Sequence, residues 1–311
     1  MKIVFMGTSL FAMPILEMLV NEKYTIVAVY TKPDKPHDRG MKTVEGEIKH
    51  YAVEQGLTVR TPVKLTNEER DIIAALNPDC IVVVSYGLKI PRMILEIPRY
   101  GAVNAHASLL PKFRGAAPIQ KAILEGERET GITVFQLTEE WDAGDIVEKD
   151  VISIGEHERG GELWERLRKL SSQTMLKALR AFETQTFELI PQDHARASFA
   201  YKINKEDGHI YWEQQAMCIE RMVRAYHPWP MAHTHLGEKF LKIHACVHEE
   251  GSRRERPGSI FSIDCTKGIG VVCGEGVVFI SELQVEGKRK MHFRDFLNGH
   301  QLRLGDRFGE S

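Results

Sequence analysis

Cys80-Ile-Val-Val-Val84 is five consecutive apolar residues with no polar position on either face. A half-buried strand alternates apolar and polar residues, whereas an unbroken apolar run fits a strand covered on both sides, as in parallel sheets. Working outward, Lys2 to Met6 (KIVFM) and Thr25 to Tyr30 (TIVAVY) repeat this character, and Ala102 to Asn104 is a fourth run. Between them, Ala12 to Val20, Glu68 to Leu76 and Ala117 to Leu124 carry helix-spaced apolar residues. Pro14 suits a first helical turn, where its missing N–H has no partner to lose. Strand and helix in alternation predict an α/β fold, a doubly wound, mostly parallel sheet. Such sheets hold ligands at the carboxyl ends of their strands.

Past Asp150 the character changes. Glu162 to Phe182 reads as one long amphipathic helix, and Glu188 to Ala200 is polar with a proline and no period. A helix at Met217 to Tyr226 then leads into short runs at Phe240 to Val247, Gly258 to Ile263, Ile269 to Cys273 and Val277 to Leu283. Glycine and charged turns separate them, the pattern of a small sandwich or barrel. The chain has 311 residues, more than one hydrophobic core usually serves. The expected division is a catalytic domain over 1–187, a linker over 188–204 and a small β domain over 205–311.

Hydrophobic residues at 43% and charged residues at 27% are those of an ordinary globular protein. Residues 1–201 hold 25 basic and 28 acidic side chains, and 202–311 hold 16 and 15, so neither half is a polycation. Any nucleic acid must therefore meet local patches such as Lys32 to Lys42, Arg253 to Arg256 or Lys288 to Lys290. The start MKIVFMG lacks a signal peptide's features, and no window approaches eighteen apolar residues, so no membrane span is predicted. Five cysteines with no C-x-x-C pair fit neither a disulfide framework nor a zinc ribbon. They are expected to be reduced and buried, with the cytoplasm as compartment.

The first strand-turn, Met6 to Phe11, has only Gly7 where a dinucleotide fold would carry G-x-G-x-x-G. A nicotinamide or flavin dehydrogenase is thereby disfavoured, and Walker A and G-x-S-x-G patterns are absent too. What remains is Gly101 to Pro111 (GAVNAHASLLP), at the end of an inner strand. Positions two apart on a strand face one side, so Asn104 and His106 would project together into the crevice. When an amine attacks an acyl carbon, charge grows on the carbonyl oxygen, and an amide N–H and an imidazole N–H suit it. Asp142, within Trp141 to Asp145 (WDAGD), could fix the imidazole tautomer. Spacing alone leaves these residues open between that role and structural hydrogen bonding.

The stretch NAHASLLPKFRGAAPIQKAILEGERETGITVFQLTEEWDAGD, from Asn104, resembles the formyl-transfer signature of the 10-formyltetrahydrofolate-dependent formyltransferase family. MKIVFMGTSLFAMPIL, VVVSYGLKIP, YKINKEDGHIYW, VRAYHPWP and GKRKMHFRDFLNG are similar to its tRNA-formylating branch in order and spacing. The resemblance implies Asn104, His106 and Asp142 as a catalytic trio and Ser108, Leu109, Leu110 and Pro111 as the segment against the reduced folate. It further implies 10-formyltetrahydrofolate as formyl donor, no metal, initiator methionyl-tRNA as acceptor, and a Rossmann-like domain followed by an OB-like barrel that assists tRNA binding. A loop after the second strand, Lys32 to Lys42, would meet the tRNA through Arg39 and Lys42. This chain departs from the family pattern at Met41, Tyr211, His227 and Met231. An amino-sugar formyltransferase, a formyltetrahydrofolate hydrolase and a non-catalytic RNA-binding protein are the rival readings. His227, His233, His235 and His244 lack an accompanying carboxylate pattern, so no metal is expected there. Trp212 and Trp229 are expected in the barrel core rather than as base-stacking platforms. No apolar stripe demands a partner, and a monomer is expected.

Overall fold

A computed structural model of the chain describes residues 1–37 and 42–309, with only the backbone at 35–37 and 42–44. It divides into two units. The first comprises Met1–Pro118, Glu129–Ser153 and Trp164–Ala200, and the second comprises Ile119–Arg128, Ile154–Leu163 and Tyr201–Ser311.

The first unit is built on seven strands: β1 (Lys2–Gly7), β2 (Thr25–Tyr30), β3 (Val59–Arg60), β4 (Cys80–Val84), β5 (Ala102–His106), β6 (Glu129–Gln136) and β7 (Ile146–Ser153). Their order across the sheet is β7-β6-β5-β4-β1-β2-β3. The five strands from β5 to β3 are parallel, and β6 beside them runs antiparallel to both β5 and the edge strand β7. The chain leaves β1 in one direction through β2 and β3, then returns to β1's other side with β4. That reversal is the switch point at which an open α/β sheet forms its crevice.

β4 is buried at all five residues, as its unbroken apolar run requires. Val4, Met6, Ala28, Tyr30, Ile81 and Val83 share one core with Ile73 of the helix Asn67–Leu76 and with Ile94 and Leu95. That helix has Glu68 and Glu69 in its first turn, where carboxylates suit the positive helix end, and it stops at Asn77 in the left-handed region (φ 48°). Neither β6 nor β7 stood out as an apolar run. β7 is the sheet edge, and its middle, Glu148 to Asp150, is only partly covered, so little apolar signal was needed there.

The second unit is an antiparallel sheet. Its strands are β8 (Ala232–Leu236), β9 (Lys239–Glu249), β10 (Ile260–Asp264), β11 (Gly268–Val272), β12 (Val277–Val285) and β13 (Met291–His292). The order is β8-β9-β12-β11-β10, with β13 beside β12. The chain end links the two open edges: Phe308 bridges Leu236 at the end of β8, and Arg307 bridges Ser259 before β10. The sheet is thereby closed in the manner expected of a small barrel. Trp212 is core, 3% exposed and stacked on Phe308 at 5.6 Å, as the sequence suggested. Trp229 is not: it is 55% exposed. All five cysteines are free thiols, and Cys265 is exposed rather than buried.

Candidate active site

The carboxyl ends of β1, β4 and β5 meet in the first unit. Thr8 Oγ1 donates to the Tyr86 carbonyl at 3.0 Å, tying the turn after β1 to the one after β4. Asn104 and His106 stand two residues apart on β5, so they share one face of the strand. Asn104 is half-buried, and among the described residues its carboxamide has no hydrogen-bond partner.

His106 is buried, with its ring edge-on to Phe135 at 6.5 Å. Its Nε2 lies 2.9 Å from the Phe113 carbonyl, and its Nδ1 lies 3.7 Å from Asp142 Oδ2. A carbonyl can only accept, so the Nε2 contact places a proton on that nitrogen. The N–H expected to serve a substrate oxygen is thus bonded to Phe113 in the chain itself. Asp142 is 8% exposed, and its Oδ2 also accepts the Gly115 N–H at 2.8 Å. Two residues beside the imidazole hold left-handed backbone, Phe113 at φ 60° and Asp142 at φ 51°. Such non-glycine conformations store about 1 kcal/mol each, and the surrounding hydrogen bonds hold them.

The segment after β5 is braced from two sides. Ser108 is fully buried, and its hydroxyl donates to the Lys112 carbonyl at 2.6 Å. Thr133 Oγ1, on β6, donates to the Ser108 carbonyl at 2.7 Å and accepts the Leu110 N–H at 3.1 Å. Lys149 Nζ, on β7, donates to the Leu110 carbonyl at 2.7 Å, and burial pushes its pKa below the usual lysine value. Leu110 packs on Phe135 and Ile146, and the Leu110–Pro111 peptide is cis. The side chains of Ser108 and Leu110 therefore serve the loop, leaving Leu109 and Pro111 partly exposed.

Residues 188–200, where the sequence predicts the start of a linker, are bonded to the first unit. Phe199–Ala200 pairs in parallel with Arg114–Gly115, and Ser198 Oγ accepts the Phe113 N–H at 3.0 Å. Gly115 has φ 115°, and a Cβ there would lie 2.6 Å from the Ala200 carbonyl oxygen. Gly144 is as confined, since a Cβ would fall 1.9 Å from the Gln136 carbonyl oxygen. Phe113, Arg114, Thr133, Lys149 and Gln192 thus join the site without having been singled out. Phe113, Arg114 and Thr133 lie within the formyl-transfer stretch, but Gln192 sits in a polar stretch with no period to mark it.

Of the two tRNA candidates, Arg39 lies outside the described residues. Lys42 begins the short strand Lys42–Val44, paired antiparallel with Lys35–His37. Among the described residues no helix is long and apolar enough to cross a membrane. Nor is there, among them, a group of three or more His, Cys, Asp or Glu side chains arranged to hold a metal ion.

The chain belongs to the formyl transferase family. The family pattern described as formyl transferase matches residues 1–179, and that of its C-terminal domain matches 202–301. The methionyl-tRNA formyltransferase of Methylococcus capsulatus is 42% identical over 310 residues, covering 99% of this chain and 100% of the relative. That of Acetivibrio thermocellus is 40% identical over 312 residues, with all of both chains covered. Among solved structures, the N-formyltransferase of Helicobacter canadensis, in complex with folinic acid and dTDP-3-aminofucose, superposes with a TM-score of 0.67. Its identity is 18%, covering 90% of this chain and 99% of that one. HypX of Aquifex aeolicus has a TM-score of 0.62 at 19% identity over 96% of this chain, which spans about half of HypX (48%). These two likenesses concern the fold.

Proposed function

We propose that this enzyme transfers the formyl group of 10-formyltetrahydrofolate to the α-amino group of initiator methionyl-tRNA. The observation that carries the reading is an Asn104 carboxamide without a hydrogen-bond partner among the described residues, on the strand face it shares with His106 of the buried His106–Asp142 pair, in a chain 40 to 42% identical end to end to named methionyl-tRNA formyltransferases. The free amine attacks the formyl carbon, forming the new N–C bond and placing negative charge on the formyl oxygen. The Asn104 NH2 donates to that oxygen, and the His106 Nε2–H turns to it from the Phe113 carbonyl. Asp142 faces the opposite ring nitrogen at 3.7 Å and orients the ring. Collapse breaks the bond to the folate nitrogen, which takes up a proton as the amine loses one.

The folate lies against residues 108–111, through backbone groups and the partly exposed Leu109 and Pro111. Arg39 and Lys42 meet the acceptor arm of the tRNA as phosphate or base contacts. Residues 1–187 carry the reacting groups, the 188–200 part of the connecting segment braces them, and 205–311 assist tRNA binding. The enzyme works as a cytoplasmic monomer, and no metal is assigned a step. The test is a formylation assay with 10-formyltetrahydrofolate and methionyl initiator tRNA, run beside elongator methionyl-tRNA. Formyl-methionine on the initiator species is the expected result, and its absence from both would refute the reading.

A further inference from the structure

Asp142 is held at both ends of its residue, and the two holds belong to one closed circuit. Its carboxylate accepts the Gly115 N–H at 2.8 Å. Its backbone carbonyl accepts Gln192 Nε2 at 2.9 Å, and the second hydrogen of the same nitrogen goes to the Gly144 carbonyl at 2.7 Å. The Gln192 oxygen accepts from Arg114 Nη2 at 2.7 Å and Nε at 3.2 Å. Arg114 is the residue before Gly115, so the circuit runs from Asp142 through Gln192 and Arg114 back to the Asp142 carboxylate. Gln192 is 5% exposed and Arg114 is 6% exposed. Among the described residues no carboxylate pairs with the Arg114 guanidinium, whose other neighbour is His194 Nδ1 at 3.3 Å. Every polar atom of the Gln192 amide is therefore committed, and no other side-chain type offers two donors and one acceptor at this length.

We propose that Gln192 is a positioning residue for the formyl transfer, acting through Asp142 from the segment that follows the long helix. The inference rests on the functional reading above. Asp142 needs such support because its backbone is left-handed and its carboxylate stands 3.7 Å from His106 Nδ1, a separation with little slack. Releasing the Asp142 and Gly144 carbonyls lets the turn relax and moves the carboxylate off the imidazole. Misplacement of a catalytic group by a fraction of an ångström lowers turnover without changing how substrates are held.

The experiment compares wild type, Gln192→Met, Gln192→Glu and Asp142→Asn, with Gln192→Met also made in the Asp142→Asn background, in steady-state formylation alongside thermal unfolding. Gln192→Met removes both donors and the acceptor, whereas Gln192→Glu keeps an acceptor for Arg114 and loses the donors. Both are expected to lower kcat roughly ten- to a hundredfold, the range for partners that orient a reacting group, with either substrate's KM within about twofold. Added to Asp142→Asn, Gln192→Met should lower kcat little further, because coupled residues are not additive. An unaltered kcat, a loss confined to KM, or a full further loss in the Asp142→Asn background would overturn the proposal. So would a Gln192→Glu chain that fails to fold, since the amide would then be part of the scaffold only. A wild-type enzyme with no turnover refutes the functional reading instead, which separates the two failures.

Discussion

His106 Nδ1 and Asp142 Oδ2 face each other at 3.7 Å, with both side chains about nine-tenths buried. In Asp142→Asn the amide oxygen can still accept the Gly115 N–H, but the charge facing the ring is gone. Turnover should fall by about a hundredfold or more, while stability changes by less than about 1 kcal/mol. Formylation kinetics and urea denaturation of the same preparation check both halves.

Asn104→Ala separates chemistry from stability more sharply. The carboxamide has no partner among the described residues, so its removal leaves no orphaned group inside. Stability should change by less than about 0.5 kcal/mol, and kcat should drop about a hundredfold. A stability loss above that range would mean that the side chain is structural.

Lys149→Met strips the Leu110 carbonyl of its donor at 2.7 Å. If residues 108–111 hold the folate, the KM for 10-formyltetrahydrofolate should rise roughly fivefold, the equivalent of about 1 kcal/mol for one hydrogen bond. The KM for methionyl-tRNA should stay put. A kinetic titration of each substrate distinguishes the two.

Arg39→Ala tests the loop after β2 through salt. One phosphate contact fewer should raise the KM for tRNA and lower the slope of log KM against log salt by about one, with folate binding unaffected. An unchanged slope would make Arg39 a bystander.

Acid should act on Glu69. Its carboxylate accepts from Arg60 Nε at 2.9 Å, Arg60 Nη2 at 2.8 Å and the Tyr30 hydroxyl at 3.0 Å. The Arg60 hydrogen bonds, followed by that of Tyr30, hold its pKa below the usual glutamate range against the effect of burial. The stability it contributes is full above the unfolded glutamate value, about 4.3, and is lost as pH falls through the lower folded value. Glu69→Gln should remove that part of the acid dependence and lower stability at neutral pH by about 2 kcal/mol. Urea midpoints between pH 3 and pH 7 measure it.

Local sequence was sufficient for the inner strands and their helices. β2 and β4 have the ends that their apolar runs indicated, Thr25–Tyr30 and Cys80–Val84, because burial on both faces leaves an unbroken signal. β5 runs two residues further than its apolar part, to His106, since a strand that ends in a crevice carries polar residues there. β7 was illegible for the opposite reason, being an edge with partly covered charged residues.

The formyl-transfer motif placed Asn104, His106 and Asp142 on the page from sequence alone, because their order is written in one continuous stretch. Their relation to one another was not. Only the folded chain set the His106 Nε2–H against Phe113, turned Ser108 inward, and carried Gln192 back over fifty residues to the Asp142 carbonyl. Periodicity records which face of an element meets the core. It holds no record of a hydrogen bond between distant turns, which is decided by where packing brings their backbones together.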